Sequence, residues 1–178
     1  MGDYRVYYYA TLLEGCYGET LAALRPAPAV QEEAGDEEGL MPLGEISADW
    51  RNRRVAVRAS FPEGRPFLDV EAADTRALLR GELGWLLDLV RQDDIDVSAI
   101  RSRDRRLTRW ISQWVWSARW ANSYPDYAGI CFRSRHNSDW ECWAVFEEVV
   151  FDEEERRSVL RQDAALGRVA NLYDLNVF

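Results

Sequence analysis

The sequence predicts an α/β fold of the α+β type, a single domain over residues 1–178 with a mostly antiparallel β-structure flanked by helices. Two amphipathic helical patterns, at 74–91 and 104–120, alternate with short stretches rich in β-branched and aromatic residues. The chain has 178 residues, of which 47% are hydrophobic and 30% charged, as is typical of one soluble globular domain. A domain of this size buries roughly 70% of its unfolded surface, so it needs no disulfide or metal to fold.

The N-terminal stretch YRVYYYA, residues 4–10, predicts a strand because it is rich in aromatic and β-branched residues. Side chains alternate between the two faces of a strand. We therefore expect Val6 and Tyr8 on one face, and Tyr7 and Tyr9 on the other.

Residues 16–25 predict a short helix that ends at Pro26. The segment 26–48 has the weakest pattern. Its run QEEAGDEE, at 31–38, holds five acids in eight residues and favours a solvated loop or a negatively charged helix start. Two further strands are predicted soon after it, VAVRASF at 55–61 and FLDV at 67–70.

The two helical patterns rest on apolar residues at helical spacing. In 74–91 the spacing comes from four leucines and a valine, with Asp74 as the expected N-cap. Gly81 and Gly84 each weaken this helix by about 1 kcal/mol relative to alanine, so packing must hold it. In 104–120 the same spacing includes a tryptophan stripe, which is typical of a buried helix face; the apolar positions are Leu107, Trp110, Ile111, Trp114, Val115 and Ala118.

The C-terminal third predicts a hairpin followed by mixed structure. Residues 128–134 and 140–147 read as two strands joined by the turn RHNSD. The segment 149–157 predicts a strand end and then a helix start, because the four acids at 152–155 suit a helix N-terminus. The tail NLYDLNVF, at 171–178, predicts a last edge strand.

Charge and hydropathy exclude several classes of partner. The chain holds 22 basic and 31 acidic residues, a net charge of −9, which disfavours nucleic acid and an anionic membrane surface. It has no run of about 18 apolar residues, so no transmembrane helix is expected. The start MGDYRVYYYATLLEG has neither the basic region nor the apolar core of a signal peptide, so we expect a cytoplasmic protein.

The residue inventory restricts the chemistry further. His136 is the one histidine, so a multi-histidine zinc site cannot be built within a chain. The three cysteines lack CxxC spacing and are expected to be reduced and buried. All basic residues are arginine, which excludes a Schiff-base or P-loop lysine. The patterns GxGxxG, GKS/GKT and GxSxG are absent. No metal and no prosthetic group is therefore predicted.

Three polar side chains stand out from these patterns. Tyr8 lies in the middle of the first predicted strand, Glu19 in an otherwise apolar helical stretch, and Ser134 at the end of a strand whose inward set includes Ile130 and Phe132. The ordinary interpretations are a packed tyrosine, a solvated glutamate and a serine that starts a turn. Periodicity alone does not bring the three together.

Three stretches resemble the RES-domain family: YRVYYYATLLEGCYGETLAALRP, RRLTRWISQWVW and YAGICFRSRHNSDWECWAVFE. The resemblance covers roughly residues 4–147, with 148–178 as a C-terminal extension. It implies a compact α/β domain similar in fold to mono-ADP-ribosyltransferases. It also implies a bacterial toxin-like enzyme that degrades NAD+, with a helix-turn-helix antitoxin as partner.

The family's site residues map onto this chain with one gap. A strand tyrosine eleven positions before a helical glutamate matches Tyr8 and Glu19, and the hairpin serine matches Ser134, with Arg135 beside it. The family arginine lies more positions before the tyrosine than this sequence has before Tyr8, so no residue of the sequence matches it. Arg5, three residues before Tyr8, is too close to be that arginine. The expectation is either a start upstream or a truncated, inactive member. In both cases we expect weak or no NAD+-consuming activity of this chain, and far more activity of a version extended to include the arginine.

The resemblance assigns each residue a role in cleaving the nicotinamide–ribose bond of NAD+, which is the substrate. Glu19 would stabilise the oxocarbenium-like state or orient the acceptor, and Tyr8 would stack on nicotinamide. Ser134 would orient the carboxylate or bind the ligand. The family arginine would contact the pyrophosphate, and Arg135 or Arg5 would supply part of that charge in this chain. Two functions stay open: an NAD+ glycohydrolase or phosphorylase, and a RES-like binding protein that has lost catalysis with the arginine.

Overall fold

The computed structural model describes residues 4–26, 44–61, 64–118 and 124–178. These residues form an α+β fold, as the sequence predicts. Its strands are β1 (Val6–Ala10), β2 (Glu45–Ile46), β3 (Val55–Ser60), β4 (Phe67–Asp69), β5 (Gly129–Arg133), β6 (Glu141–Phe146), β7 (Asp152–Ser158) and β8 (Asn176–Val177). Its helices are α1 (Leu13–Leu21), α2 (Ala48–Asn52), α3 (Ala73–Leu83), α4 (Leu87–Val90), α5 (Val97–Ile100), α6 (Arg106–Ala118) and α7 (Ala164–Tyr173).

The chain divides into two compact units, each assembled from two separate segments. The first unit combines Met1–Thr11 with Phe61–Phe151, and the second combines Leu12–Ser60 with Asp152–Phe178. The chain therefore leaves the second unit after β3 and returns to it with β7. A single domain over residues 1–178 stays a prediction.

A four-stranded sheet of order β1-β6-β5-β4 organises the first unit. The β1–β6 and β5–β6 pairs are antiparallel, and the β4–β5 pair is parallel. The expected hairpin of 128–134 with 140–147 is confirmed, as is the mostly antiparallel character of this sheet. One sheet face and the helices α3–α6 enclose a core whose innermost side chains include Leu79, Leu86, Ile95, Leu107, Ile111, Val115 and Phe146.

The helix predicted over 74–91 is interrupted. Helix α3 ends at Leu83, a 3-10 turn covers Gly84–Leu86, and α4 follows. The break falls at Gly84, which has little preference for a helix interior. The expected N-cap is also wrong: Ala72 occupies that position without a side-chain cap, and Asp74 lies in the first turn. The leucine spacing nevertheless predicts burial correctly, since Leu79, Leu83 and Leu86 are buried.

The second predicted helix is close to its expected bounds. Helix α6 covers Arg106–Ala118, and residues 119–120 of the prediction lie outside the described residues. Its buried side chains follow the predicted apolar stripe, while the tryptophans Trp110, Trp114 and Trp116 are half-buried and pack against the core. The tryptophan stripe is therefore structural, as expected.

Helix α1 packs against α7 in the second unit, which also holds the parallel pair β2–β8 and the antiparallel pair β3–β7. The Tyr173 hydroxyl donates to the Gly18 carbonyl at 3.2 Å across the two helices. The helix predicted at 16–25 corresponds to α1 with a following 3-10 turn. The acidic run at 31–38 lies outside the described residues.

Two C-terminal predictions are wrong. The segment expected to start a helix is strand β7, because its backbone pairs with β3 and its acids and arginines form ion pairs on an exposed surface. The tail at 171–178 was expected to be an edge strand, but its first part completes α7, and only Asn176–Val177 forms a strand. The Asp163 side chain caps α7 by accepting hydrogen bonds from two backbone N–H groups.

Candidate functional site

Ser134 follows the last residue of β5 and starts the hairpin turn. Its N–H donates to the Trp140 carbonyl at 2.8 Å, and its hydroxyl oxygen accepts from the N–H of His136 at 3.1 Å. The side chain is 0% exposed, which makes Ser134 the buried polar residue of the described chain. Its hydroxyl is therefore held by the turn, in a dry environment where its orientation is fixed.

Tyr8 is presented differently. It pairs with Ala144 of β6, which pairs in turn with Ile130 of β5, so the three lie in one row across the sheet. Ala144 and Ile130 are buried, whereas Tyr8, on the edge strand β1 of the described sheet, is 71% exposed. The expected packed tyrosine is wrong here, since the ring faces solvent.

Tyr8 and Ser134 share one face of the sheet. Ser134 follows Ile130 by four positions, and side chains on a strand return to the same face at every second residue. The opposite face carries the aromatic rings of Tyr9, Phe67 and Trp143. The alternation predicted for the first strand therefore agrees with the sheet register.

Glu19 lies in α1, one turn after Cys16, and is half-buried. Buried Tyr17 and Gly18 precede it on the helix. Glu19 belongs to the second unit, whereas Tyr8 and Ser134 belong to the first. A cleft shared by the three side chains stays a prediction.

The two arginines proposed for the pyrophosphate are both exposed. Arg135 follows Ser134 in the turn, and its Nε donates to Nε2 of His136 at 3.2 Å. Arg5 precedes β1, and its carbonyl accepts from the N–H of Glu147 at 3.1 Å. Both belong to the first unit, at opposite ends of the sheet's strands.

An ion pair that the sequence did not reveal anchors this turn. Glu71 accepts two hydrogen bonds from Arg101, at 2.9 and 2.6 Å, and a third from the backbone N–H of Arg133 at 3.0 Å. Arg101 also donates to the Ser138 hydroxyl at 2.9 Å. The pair joins the end of β4, the end of α5 and the turn, so it positions Ser134. The partners lie 30 or more residues apart, and no local pattern indicates them.

The cysteines are all free, as expected. Cys131 and Cys142 are buried, but Cys16 is only half-buried, so the expectation that all three are buried is wrong for Cys16. Burial, followed by the nearby carboxylates of Glu141 and Asp69, raises the pKa of Cys131 to about 12. A thiol with that pKa stays protonated near neutral pH and is a poor nucleophile.

The second unit holds an open cavity of about 350 Å³ at the N-terminus of α7. Both arginines that line it are paired: Arg157 donates to Asp163, and Arg168 donates to Glu14. None of the predicted site residues lines this cavity. Its cationic groups are therefore already neutralised by the protein.

Among the described residues, no group of three His, Cys, Asp or Glu side chains is arranged to hold a metal ion. None of the helices in those ranges combines the length and apolar character needed to span a membrane. The chain matches no protein-family model, no curated protein and no solved structure.

Proposed function

We propose that this protein consumes NAD+ by breaking the bond between nicotinamide and ribose, with Tyr8, Glu19 and Ser134 as its site. The observation that carries the proposal is the eleven-residue spacing of Tyr8 and Glu19 across a strand followed by a helix. The resemblance to RES domains requires that pairing of elements. The 71% exposure of the Tyr8 ring supports it further, because a ring that stacks on a ligand has to be accessible.

The reaction needs little from the protein beyond positioning and charge stabilisation. The C1′–N bond breaks, its electron pair neutralises the pyridinium nitrogen, and the oxygen of water or phosphate forms the new bond to C1′. The proton released by water passes to solvent or to the Glu19 carboxylate. Glu19 stabilises the positive charge that develops on the ribose, and the neutral nicotinamide leaves without an acid.

Ser134 acts in this proposal as a fixed hydrogen-bonding group. Its hydroxyl oxygen accepts from the His136 N–H within the turn and is fully buried, so the ligand reaches the hydroxyl only when the turn opens. The neighbouring Arg135 supplies positive charge that a chain of net charge −9 otherwise lacks for the pyrophosphate. A cytoplasmic location is part of the proposal, since free thiols persist there.

One observation favours the second candidate, a binding protein without catalysis. Ser134 is 0% exposed, so a ligand that contacts its hydroxyl has to open the turn. A protein that binds NAD+ through Tyr8 and does not cleave it would retain the tyrosine spacing. Binding without release of nicotinamide distinguishes this candidate from the enzyme.

The test measures nicotinamide release from NAD+ by the purified protein and its Glu19→Gln variant. Because no residue of this sequence matches the family arginine, we expect the protein itself to release nicotinamide slowly. Glu19→Gln should lower that rate by about 100-fold or more, since it removes the charge that stabilises the transition state. Glu14→Gln, on the same helix, is the matched control and should retain activity. Tyr8→Ala should raise KM, whereas Tyr7→Ala, on the other face of the strand, should not. Equal and measurable rates for the protein and Glu19→Gln would disprove the proposed catalytic role, and NAD+ binding with no release of nicotinamide would disprove the enzyme.

A further inference from the structure

A basic segment stands out in this acidic chain. Residues 101–109, RSRDRRLTR, hold five arginines and one aspartate, although the chain as a whole carries −9. Two of the five are used within the fold: Arg101 binds Glu71, and Arg106 binds Asp104. The guanidinium groups of Arg103, Arg105 and Arg109 are exposed and make no hydrogen bond or ion pair within the described part of the chain.

An exposed apolar surface lies beside this segment. Trp85 is 67% exposed and Leu89 is 61% exposed. The Trp85 ring packs edge-to-face on the ring of Trp110, with centroids 5.9 Å apart. The Arg106 guanidinium donates to the Leu89 carbonyl at 3.4 Å, which places the start of α6 against α4. We call Trp85, Leu89 and Trp110, with Arg106 at their edge and exposed Arg109 next to Trp110 in the sequence, the Trp85 patch.

The anchor of this patch is already oriented. The indole N–H of Trp85 donates to the Glu82 carbonyl at 3.1 Å, so the ring is fixed without a partner. The Glu82 carboxylate accepts hydrogen bonds from the Tyr124 hydroxyl at 2.8 Å and from the Trp114 indole N–H at 3.4 Å. Its negative charge is therefore already hydrogen-bonded within the protein. Rigid tryptophans and arginines are the residues that contribute most at protein interfaces.

We propose that the Trp85 patch binds an acidic polypeptide segment that carries a large apolar side chain. The apolar side chain would cover Trp85 and Leu89, and its carboxylates would meet Arg109 and its neighbours. Exposed aromatic area needs an apolar partner, and arginines without internal partners fit carboxylates. Asp88, exposed beside Leu89, limits the number of carboxylates that this surface accepts.

Two other occupants fit less well. A second copy of this chain, related by a twofold axis through the patch, would bring equal charges of the basic segment together. A nucleic acid presents a continuous row of phosphates, which the net charge of −9 repels beyond the patch. A short acidic segment avoids both costs because its charge is local.

The probe is a fluorescently labelled amphipathic peptide of about 14 residues, with glutamate on one helical face and leucine and tryptophan on the other. Binding to the full chain is measured by fluorescence anisotropy. We expect a Kd on the order of 10 μM at about 50 mM salt, weakened at about 500 mM salt. Trp85→Ala and Arg109→Glu should each weaken binding by roughly tenfold or more.

The controls make each outcome decisive. Leu172→Ala and Arg161→Glu change an exposed leucine and an exposed arginine of the second unit, and they should leave binding unchanged. Circular dichroism shows that each variant is folded. The proposal is overturned by no binding of the acidic peptide, or by equal binding to Trp85→Ala. Equal binding of a peptide with lysine in place of glutamate overturns it too, as does a single-stranded oligonucleotide that binds through the same residues.

Discussion

Two antiparallel strand pairs, β5–β6 and β3–β7, have similar lengths but opposite environments. In β5–β6 most side chains are buried, including Ile130, Ala144 and Phe146. In β3–β7 almost every side chain of β7 is exposed, and its sequence DEEERRS holds no apolar residue. Packing stabilises the first pair, whereas the backbone ladder and surface charges hold the second. A strand whose side chains pack in the core leaves an apolar pattern in the sequence, whereas a strand held only by backbone pairing leaves none.

The ion pairs of β3–β7 are mostly on the surface. Arg58 and Glu154 are 3.1 Å apart, with side chains 75% and 44% exposed, where water weakens their attraction. The exception lies just beyond the strand. Arg157 donates to Asp163, whose side chain is only 4% exposed. The Arg157–Asp163 ion pair is therefore the one near β3–β7 that is expected to contribute to stability.

The largest effect is expected in β5–β6, from Gly129→Ala. A Cβ at Gly129 would lie 2.1 Å from the carbonyl oxygen of Ala144. To make room, β6 would have to move, although it is paired with β1 on one edge and β5 on the other. We expect the free energy of unfolding to fall by about 3 kcal/mol or more. Urea denaturation followed by circular dichroism measures it.

Gly81→Ala is the matched control for that prediction. A Cβ at Gly81 meets nothing within 4 Å, and the residue lies inside α3. This substitution should raise the free energy of unfolding by about 1 kcal/mol. If Gly129→Ala unfolds at the same urea concentration as the parent protein, the close strand approach is wrong.

An intermediate effect is expected from Asp163→Ala, which removes the cap of α7 and the partner of Arg157. Burial raises the pKa of Asp163, but hydrogen bonds from Arg157, Leu166 and Ala165 outweigh it and hold the pKa below its usual range. A lowered folded pKa gives stability that is present above the unfolded pKa and is lost as pH falls through the folded value. We expect a loss of about 2–4 kcal/mol near neutral pH.

The pH dependence tests the cause of that loss. The difference between the protein and Asp163→Ala should shrink when urea denaturation is repeated at about pH 3, below the ordinary aspartate pKa. Glu154→Ala, at an exposed position of β7, should show little difference at either pH. A difference for Asp163→Ala that stays constant would mean that its charge contributes nothing.

The smallest effect is expected from the exposed pair Arg58–Glu154. A double-mutant cycle with Arg58→Ala and Glu154→Ala should give a coupling energy below about 0.5 kcal/mol, because the pair is exposed. About 1 M salt should remove it. A coupling above about 1 kcal/mol would show that surface charge, and not the backbone ladder, holds β3–β7 together.

The same contrast explains what the sequence predicted of the fold. The hairpin β5–β6 was found because apolar residues and turn residues alternate locally. The four acids of β7 satisfy a local rule for a helix start, while the partner strand β3 lies about 100 residues earlier, so the sequence predicts a helix where the structure has a strand. The leucines of 74–91 predicted burial but not the break at Gly84. Helix α7 was missed although Asp163 is a favourable cap residue.

Less of the candidate site was predictable. The spacing of Tyr8 and Glu19 placed one residue on a strand and the other on a helix, as in the structure. It gave no sign that Tyr8 is exposed or that Ser134 is wholly buried, because edge position and burial depend on distant strands. The Glu71–Arg101 pair that anchors the turn is equally a product of tertiary packing.

The nested order of the two units has a consequence for synthesis on the ribosome. The segments of the first unit have all been translated once Phe151 is made. The early part of the second unit, Leu12–Ser60, has then been made, but its partners have not. Strand β2 pairs with β8, β3 pairs with β7, and α1 packs against α7. These pairings join residues far apart in sequence, and such contacts form slowly. The second unit is therefore expected to be the late-folding one, and the one that chaperones protect longest.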